Sequence, residues 1–240
     1  MLRLPIREVP ANRYGQLDTS QLGDVSDACL VLTAGTTATG EVDPLELIGQ
    51  ARWTHVDAAW GGPLRLSSTH ANRLAGIEGA DSVAVSAHKL LMQPKDSALV
   101  MFRDPELANS AISYGGGYLT TPNIGVQGSR GAAAVSLLAT LLALGRVGIA
   151  KRIDRAMEMA NQLAEYLKAD EAIELLSMPK TGVTVFRPRH FDTQEIHAKL
   201  PLGMLSICLI DDEYWLRSVA ANPLADIDLI VSTIKKTVCR

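Results

Sequence analysis

The sequence predicts an α/β protein in which a large domain with a mainly parallel sheet is followed by a small α+β domain. Two observations carry this prediction. In the first half of the chain, short and nearly continuous apolar runs alternate with helical patterns, as expected for parallel strands covered on both faces. In the last third, the order is strand, helix, two strands and helix, which is typical of a small α+β unit.

The first half contains four predicted strands and one predicted helix. The strands are ACLVLTAGTT (28–37), WTHVDAAWGG (53–62), ADSVAVSAHK (80–89) and SALVMFRD (97–104), and the helix is DPLELIGQAR (43–52). In parallel sheets, ligand-binding groups collect on the loops at the carboxyl ends of strands. Four polar residues lie at such ends, namely Thr36, Thr37, Asp57 and Lys89.

The second half begins with a Gly-rich polar stretch, residues 113–131, which is too long for an ordinary connection and is therefore functional or mobile. A long helix is predicted from Ala132 to Leu167, interrupted near GRVG (145–148). The tail then predicts the strand GVTVFRPR (182–189), the helix TQEIHAKL (193–200), the strands MLSICLI (204–210) and YWLRSVAA (214–221), and the helix ADIDLIVSTIKKTV (225–238). We expect the domain boundary along the long helix, giving domains 1–150 and 151–240.

Composition favours small-molecule chemistry. The 240 residues carry a formal net charge of −3, so the chain has no general attraction to nucleic acid or to an anionic membrane. The three cysteines are far apart and form no CxxC pair, which argues against a disulfide framework and a metal site, and Cys29 and Cys208 are expected in the core. The N-terminus does not resemble a signal peptide, and no stretch is expected to approach the apolar length of a membrane span, so a cytoplasmic location is expected.

Asp57 and Lys89 are the two candidate chemical groups. Asp57 ends an apolar strand, where a buried carboxylate needs a partner; a helix N-cap or a salt bridge would also explain it. Lys89 follows 32 positions later (89 − 57), at another strand end. In apolar surroundings its neutral amine is favoured and can attack a carbonyl to form a Schiff base, although many lysines simply extend to the surface.

The pair together fits pyridoxal 5'-phosphate. An acid keeps the pyridine nitrogen of this cofactor protonated, so the ring accepts electrons, and a lysine carries its aldehyde. The small residues after Asp57 would let the flat ring lie against the backbone. Ser86 and His88 flank the lysine as possible phosphate donors, although His88 is also explained as a core histidine.

Four segments carry a resemblance to a known family. They are TAGTTATGEVDPLELI, WTHVDAAWGG, ADSVAVSAHKLLMQPKDSALV and YWLRSVAANP. Together they resemble the group II pyridoxal-phosphate-dependent amino-acid decarboxylases, which have the aspartate-aminotransferase fold (fold type I). The similarity runs from about Arg13 to the C-terminus, and it implies a dimeric carboxy-lyase.

The resemblance assigns roles to individual residues. Lys89 matches the Schiff-base lysine and Asp57 the carboxylate on the pyridine nitrogen. The other cofactor contacts it implies are Ala59 against the ring face, Thr36 near the acid and the substrate carboxyl, and His88 with Ser86 near the phosphate. Arg217 matches an arginine that meets the substrate carboxylate in some members; a salt bridge between domains is the alternative.

The Gly-rich stretch matches the mobile catalytic loop of the family, which supplies a tyrosine that returns a proton to the substrate carbon. We choose Tyr118 for this role over Tyr114, and Lys89 is the alternative proton donor. Arg130 matches a basic residue near the cofactor or the dimer partner. The amino acid that serves as substrate is not readable from these residues.

The chain also departs from the family pattern. In the family, about half of the large domain precedes the segment that matches Arg13, including a phosphate-binding turn and a histidine that stacks on the ring. The first histidine here is His55, which matches the strand beside the acid instead. The chain therefore resembles the C-terminal portion of a decarboxylase.

Three explanations remain open for this departure: a fragment or split gene, a degenerate remnant, or a site completed by a companion chain. We expect little or no decarboxylase activity from this chain alone, and a homodimer or a complementing N-terminal chain as partner. An inactive pseudoenzyme that serves as an interaction module is an alternative. So is another fold-type-I activity, such as that of an aminotransferase or a cysteine-desulfurase-like lyase.

Overall fold

A computed structural model describes residues 4–114, 123–124 and 132–238. Its first sheet has four strands in the order β1-β2-β3-β4. These are β1 (Cys29–Thr33), β2 (Trp53–Asp57), β3 (Ser82–Ser86) and β4 (Ala98–Phe102). The first three strands are parallel and β4 is antiparallel to β3, so the mainly parallel sheet predicted from the sequence is confirmed.

Strand β1 shows why the sheet has a buried and an open face. Leu30 and Leu32 point into the core, whereas Cys29 and Val31 are exposed. Because side chains alternate along a strand, an apolar run at the edge of a sheet places every second residue on the outer face. The expectation that Cys29 lies in the core was therefore wrong; Cys208 is half-buried.

Short 3-10 helices lie before β1 and in the connections from β1 to β2 and from β2 to β3. Thr19–Gln21 precedes β1, Leu45–Leu47 lies between β1 and β2, and three lie between β2 and β3, namely Gly62–Leu66, Ala71–Leu74 and Ile77–Gly79. The helix predicted over residues 43–52 is thus reduced to Leu45–Leu47. Pro44 precedes it in an extended conformation, and Gly49 follows with a φ of 90°, so the chain turns away after a single turn of helix.

A short helix, α1 (Pro105–Ile112), and the two-residue strands β5 (Ser113–Tyr114) and β6 (Asn123–Ile124) lead to the long helix α2 (Ala133–Lys168). Gly145 breaks the helical geometry of α2, with φ 58° and ψ 178°. The interruption predicted near GRVG is therefore confirmed at its first residue. Residue 150 lies inside α2, and the division into domains there stays a prediction.

The second sheet is antiparallel in the order β7-β8-β10-β9. Its strands are β7 (Ile173–Leu175), β8 (Val183–Pro188), β9 (Ser206–Ile210) and β10 (Glu213–Val219), and its helices are α3 (Thr193–Lys199) and α4 (Ile227–Val238). Phe186, Leu216 and Ile234 join the end of α2 in one core cluster. Val183 and Trp215 belong instead to the core of the first sheet, so the two sheets share apolar packing.

Helix α2 differs sharply between its two halves. The second half is packed, with Ile153 and Met157 buried, whereas the first half exposes Val135, Leu138 and Leu142. By length and composition alone, residues 134–168 are apolar enough to cross a membrane. The expectation that no stretch approaches that length was therefore wrong, although this criterion is also met by helices of soluble proteins.

Candidate active site

Asp57 and Lys89 lie at the same edge of the first sheet. Asp57 is the last residue of β2 and pairs in parallel register with Ala84 of β3. Beyond the strands, the backbone N–H of Ser86 donates to the carbonyl of Ala59 over 3.2 Å, so the two chain segments leave the sheet side by side. Lys89 follows Ser86 by one turn, since its backbone N–H donates to the Ser86 carbonyl over 3.2 Å. The structure thus places the two predicted residues on neighbouring segments at one sheet edge.

The carboxylate of Asp57 is half-buried and accepts one hydrogen bond at the strand end. The backbone N–H of Ala59 donates to Asp57 Oδ1 over 3.0 Å. Within the described ranges, no cationic side chain forms an ion pair with Asp57. A carboxylate with one oxygen left for another donor suits a protonated ring nitrogen.

The small residues after Asp57 serve two purposes. Gly61 and Gly62 are required by packing, because a Cβ on Gly61 would lie 2.5 Å from the Ala34 carbonyl oxygen and one on Gly62 would lie 2.6 Å from Val85 Cγ2. Ala59 is half-buried. The sequence-based interpretation of the whole segment as room for a ring was therefore too broad, and only Ala59 remains a candidate ring contact.

A tight turn presents Lys89. The backbone N–H of Met92 donates to the Lys89 carbonyl over 3.0 Å, and Met92 has a φ of 55°, which is uncommon for a residue other than glycine. Gln93 is buried and donates from Nε2 to the Leu91 carbonyl at 2.8 Å and to Thr140 Oγ1 at 2.9 Å. The turn is thereby fastened to α2, and Lys89 is half-buried at its start.

Next to Lys89, the Nδ1 atom of His88 is buried and has no hydrogen-bond partner in the described part of the chain. Leaving a buried polar atom unpaired is costly, so such an atom usually has a ligand or a water as partner. The alternative of a core histidine with its hydrogen bonds satisfied does not fit this Nδ1 atom. Ser86 lies two residues away, half-buried.

Thr36 lies in a closed turn after β1. Its Oγ1 is 2.7 Å from Thr39 Oγ1 and accepts the backbone N–H of Glu41 over 3.1 Å. The Thr36 backbone N–H donates to the Glu41 carbonyl over 2.8 Å, and the Gly40 backbone N–H donates to the Thr36 carbonyl over 2.8 Å. Because β1 pairs with β2 up to Thr33 and Asp57, Thr36 lies three residues beyond the partner of the acid.

Arg217 reaches the same region from β10. Its Nε donates to Ser206 Oγ over 2.9 Å, and its Nη1 donates to the backbone carbonyl of Thr37. Burial raises the pKa of the Cys208 thiol, and the positive charge of Arg217 acts against this rise. Among the described residues, Arg217 has no carboxylate partner, so it links the two sheets by a hydrogen bond and retains its charge for an anion.

These residues fit pyridoxal phosphate. Within the described part of the chain, a carboxylate with a spare oxygen, a lysine without an ion pair and an imidazole with an unpaired nitrogen lie around one sheet edge, and the cofactor offers each of them a partner. The chosen proton donor Tyr118 and the basic residue Arg130 lie outside the described residues, so both remain predictions.

Three residues at this edge were missed by the sequence reasoning. Glu41 is buried, and Lys180 and Thr181 approach it and Gly40 from the β7–β8 loop (residues 176–182). The Glu41 charge inside TTATGEVDP was a possible signal, because a carboxylate in an apolar context needs a partner. No local pattern identifies a partner 139 positions away (180 − 41).

Comparison with known proteins agrees with this geometry. Residues 16–189 match the family model described as the pyridoxal-dependent decarboxylase conserved domain. The chain is 34% identical over 204 residues to L-2,4-diaminobutyrate decarboxylase of Acinetobacter baumannii, which covers 75% of this chain and 40% of the relative. It is 33% identical over 189 residues to human cysteine sulfinic acid decarboxylase, covering 72% of this chain and 38% of the relative.

Solved structures show the same fold. The structure of mouse CSAD in its apo form superposes with a TM-score of 0.81 at 26% identity, covering 96% of this chain and 58% of the mouse chain. The structure of rice (Oryza sativa) TDC with PLP and tryptamine superposes with a TM-score of 0.81 at 20% identity, covering 97% of this chain and 57% of the rice chain. At this identity the likeness shows the fold alone. The chain spans half or less of the length of the curated relatives it matches.

Proposed function

Because this chain belongs to the pyridoxal-dependent decarboxylase family, we propose that its site supports the decarboxylation of an L-amino acid through Lys89. The observation that carries the proposal is the meeting of the Asp57 and Lys89 segments at one sheet edge, linked by the hydrogen bond between Ser86 and Ala59. The proposal concerns the reaction class, because the chain spans only part of the relatives that perform it.

In this proposal, the chain holds its cofactor by four kinds of contact. Lys89 would bind the aldehyde covalently, and Asp57 Oδ2 would accept a hydrogen bond from the protonated ring nitrogen. Ala59 would lie against the ring, and His88 Nδ1 would take a phosphate or ring contact together with Ser86. The bound cofactor supplies an electron sink for the bond to the departing carboxyl group. Asp57 serves this chemistry by keeping its charge next to the ring nitrogen.

Thr36 and Arg217 are proposed to orient the substrate. The Arg217 guanidinium and the Thr36 turn are joined through Thr37, so a carboxylate bound by one would lie near the other. An arginine binds a carboxylate through paired N–H donors, which defines direction as well as affinity. Lys89 or Tyr118 would return a proton to the α-carbon after carbon dioxide has left.

The proposal includes a second polypeptide. Val31, Val100 and Val135 lie on three different elements around the first sheet, and all are more than half exposed. Leu99 and Met101 are exposed beside Val100 on β4, and exposed apolar side chains that gather into a patch mark surfaces that other chains cover. We propose that a second copy or a complementing chain covers them and completes the phosphate and ring contacts, and that the 240-residue chain alone has little or no activity.

Borohydride reduction tests the cofactor part of this proposal. The purified chain is mixed with pyridoxal phosphate, reduced and digested, and the pyridoxyl adduct is located by mass spectrometry. We expect the adduct on Lys89 and its loss in Lys89→Ala. Lys95→Ala is the matched control, because Lys95 is an exposed lysine in the same segment. An adduct spread over several surface lysines, or unchanged in Lys89→Ala, would contradict the proposal.

Release of carbon dioxide tests the reaction class. L-aspartate, L-cysteine sulfinate and L-2,4-diaminobutyrate form the substrate panel, because relatives carry the corresponding names. We expect release only when a complementing chain is supplied, and none with Lys89→Ala. Transamination products without carbon dioxide would favour the aminotransferase alternative. A normal Lys89 adduct without any turnover would favour the pseudoenzyme.

A further inference from the structure

Glu41 closes the turn that carries Thr36, and its own side chain is buried. The turn (residues 35–41) is held by backbone N–H donors of Gly35, Thr36, Gly40 and Glu41, all with acceptors inside the turn. The Glu41 carboxylate is 3% exposed, and Lys180 Nζ lies 2.7 Å from its Oε2. Lys180 and Glu41 therefore form an ion pair. The ammonium is not aligned for a hydrogen bond, since Oε2 has no hydrogen-bond partner among the described residues.

The ion pair joins two distant parts of the chain. Lys180 belongs to the β7–β8 loop, and its side chain is half exposed. Lys180 is the one cation paired with Glu41 among the described residues. A buried carboxylate that loses its cation is left uncompensated in a medium of low polarity, which is far more costly than losing a surface pair. The position of Glu41, and with it the closing bonds of the turn, therefore depends on Lys180.

Thr181 of the same loop and Val183 at the start of β8 also lie against the Thr36 turn. Thr181 Oγ1 donates to the Gly40 carbonyl over 2.6 Å. Gly40 has a φ of 72°, and a Cβ at this position would lie 2.7 Å from both Thr181 Oγ1 and Val183 Cβ. The contact is thus too close for any side chain at residue 40.

The β7–β8 loop also accepts two hydrogen bonds from residues that follow Asp57 in the chain. Trp60 Nε1 donates to the Thr181 carbonyl over 2.6 Å, and Arg73 donates to the Lys180 carbonyl. Trp60 follows Asp57 by three residues, so one short loop contacts both the Thr36 turn and the segment after the acid. A shift of Lys180 would therefore affect both the Thr36 turn and the segment after Asp57.

We propose that Lys180 and Glu41 form a latch that positions the Thr36 turn against the sheet edge carrying Asp57. Lys180 and Glu41 are positioning residues, since neither contacts Asp57 or Lys89 in the described structure. The latch extends the proposed function to the positioning of the same site. Only its prediction about cofactor affinity rests on the proposed function. The direct consequence of the latch is local: the hydrogen-bonded amides within residues 35–41, those of Gly35, Thr36, Gly40 and Glu41, stay protected while the pair is intact.

Hydrogen exchange of the wild-type chain and its variants tests the latch. We expect Lys180→Met to raise the exchange of the 35–41 amides by about tenfold or more, and Lys180→Arg to restore protection. Glu41→Gln should raise the exchange as well, and the double variant should resemble the single variants, because both remove one interaction. Lys199→Met is the matched control, since Lys199 is exposed on α3.

Two results would overturn the latch. One is exchange of the 35–41 amides in Lys180→Met that stays within about twofold of wild type. The other is an increase that is equally large in the β9 and β10 amides, which would report a general loss of stability instead of a local one.

Pyridoxal phosphate affinity separates the latch from the proposed function. Titration followed by tryptophan fluorescence should show affinity reduced by about tenfold in Lys180→Met and restored in Lys180→Arg. An unchanged affinity would overturn the positioning of the site by the latch. A wild-type chain without any affinity would overturn the proposed function, and the exchange comparison would still decide the latch.

Discussion

The backbone N–H of Ser86 donates to the carbonyl of Ala59 across 3.2 Å, and this bond ties the exit of β2 to the exit of β3. Two residues before Ala59 is Asp57, and three residues after Ser86 is Lys89. The acid and the amine are therefore kept together by the backbone, before any side chain contributes. Substitutions at either position should change the chemistry of the site with little effect on the sheet.

Asp57→Asn should weaken pyridoxal phosphate binding by at least ~30-fold, because losing one member of a buried charge pair costs about 2–5 kcal/mol. The asparagine oxygen can still accept the Ala59 N–H, so the strand end should stay folded. Titration of the cofactor by absorbance measures the loss. Asp96→Asn, an exposed change near the lysine turn, is the control and should bind as wild type.

Thr140→Val should destabilise the chain by about 0.5–1.5 kcal/mol, because it removes the acceptor of the Gln93 side-chain amide. Urea unfolding measures the change. Thr237→Val is the matched control, since Thr237 also donates to the carbonyl four residues earlier but receives no such long-range bond from the described residues. Equal losses in the two variants would show that the link from the lysine turn to α2 contributes nothing measurable.

Leu142→Glu should weaken any self-association of the chain at least about tenfold, since burial of a leucine side chain contributes about 1.5–3 kcal/mol. Leu142 is 76% exposed on the open half of α2. Sedimentation over a range of concentrations measures the effect. Leu202→Glu, at a fully exposed position of the second sheet region, should leave association unchanged. A strong effect there and none at Leu142 would place the contact elsewhere.

His70 should make the folded chain less stable in acid. Burial lowers the pKa of His70 below 6.5, the nearby Arg73 lowers it further, and Asp154 opposes the shift. The unfolded chain then takes up the proton more readily than the folded one, so stability is present above about pH 6.5 and is lost as the pH falls through the lower folded value. Urea midpoints between about pH 7.5 and about pH 5 should fall more in wild type than in His70→Gln.

The control for this comparison is His190→Gln, because His190 lies on an exposed turn. It should leave the pH dependence of the wild-type midpoint unchanged. If His70→Gln retains the full loss of stability in acid, other groups must be responsible, and the burial of His70 would have no part in it.

Sequence reasoning succeeded where periodicity and strand ends carry the information. The strand before Asp57 and the strand before Lys89 were readable because buried parallel strands are short, apolar and bounded by small residues. The interruption of α2 was readable because Gly145 marks it in the sequence. These features are local, so a window of about ten residues contains the whole signal.

It failed where a local exception overrides the pattern or where a tertiary contact decides. The apolar run DPLELIGQAR has a helical pattern, yet a proline and a left-handed glycine reduce it to a 3-10 turn. Cys29 lies in an apolar run but faces outward because side chains alternate along β1 and Cys29 lies on its exposed face. The partners of Glu41 and Thr37 come from residues well over a hundred positions later, beyond the reach of any local pattern.

The bond between Arg217 and Thr37 has a further consequence for how the protein is made. The two residues are 180 positions apart, so the ribosome must produce nearly the whole chain before this edge of the pocket can close. Contacts between residues so far apart in the sequence form slowly, since the entropy of closing a large loop is lost before the contact stabilises the fold. Until then the nascent first sheet also lacks the packing of Val183 and Trp215, so we expect it to expose apolar side chains that chaperones bind.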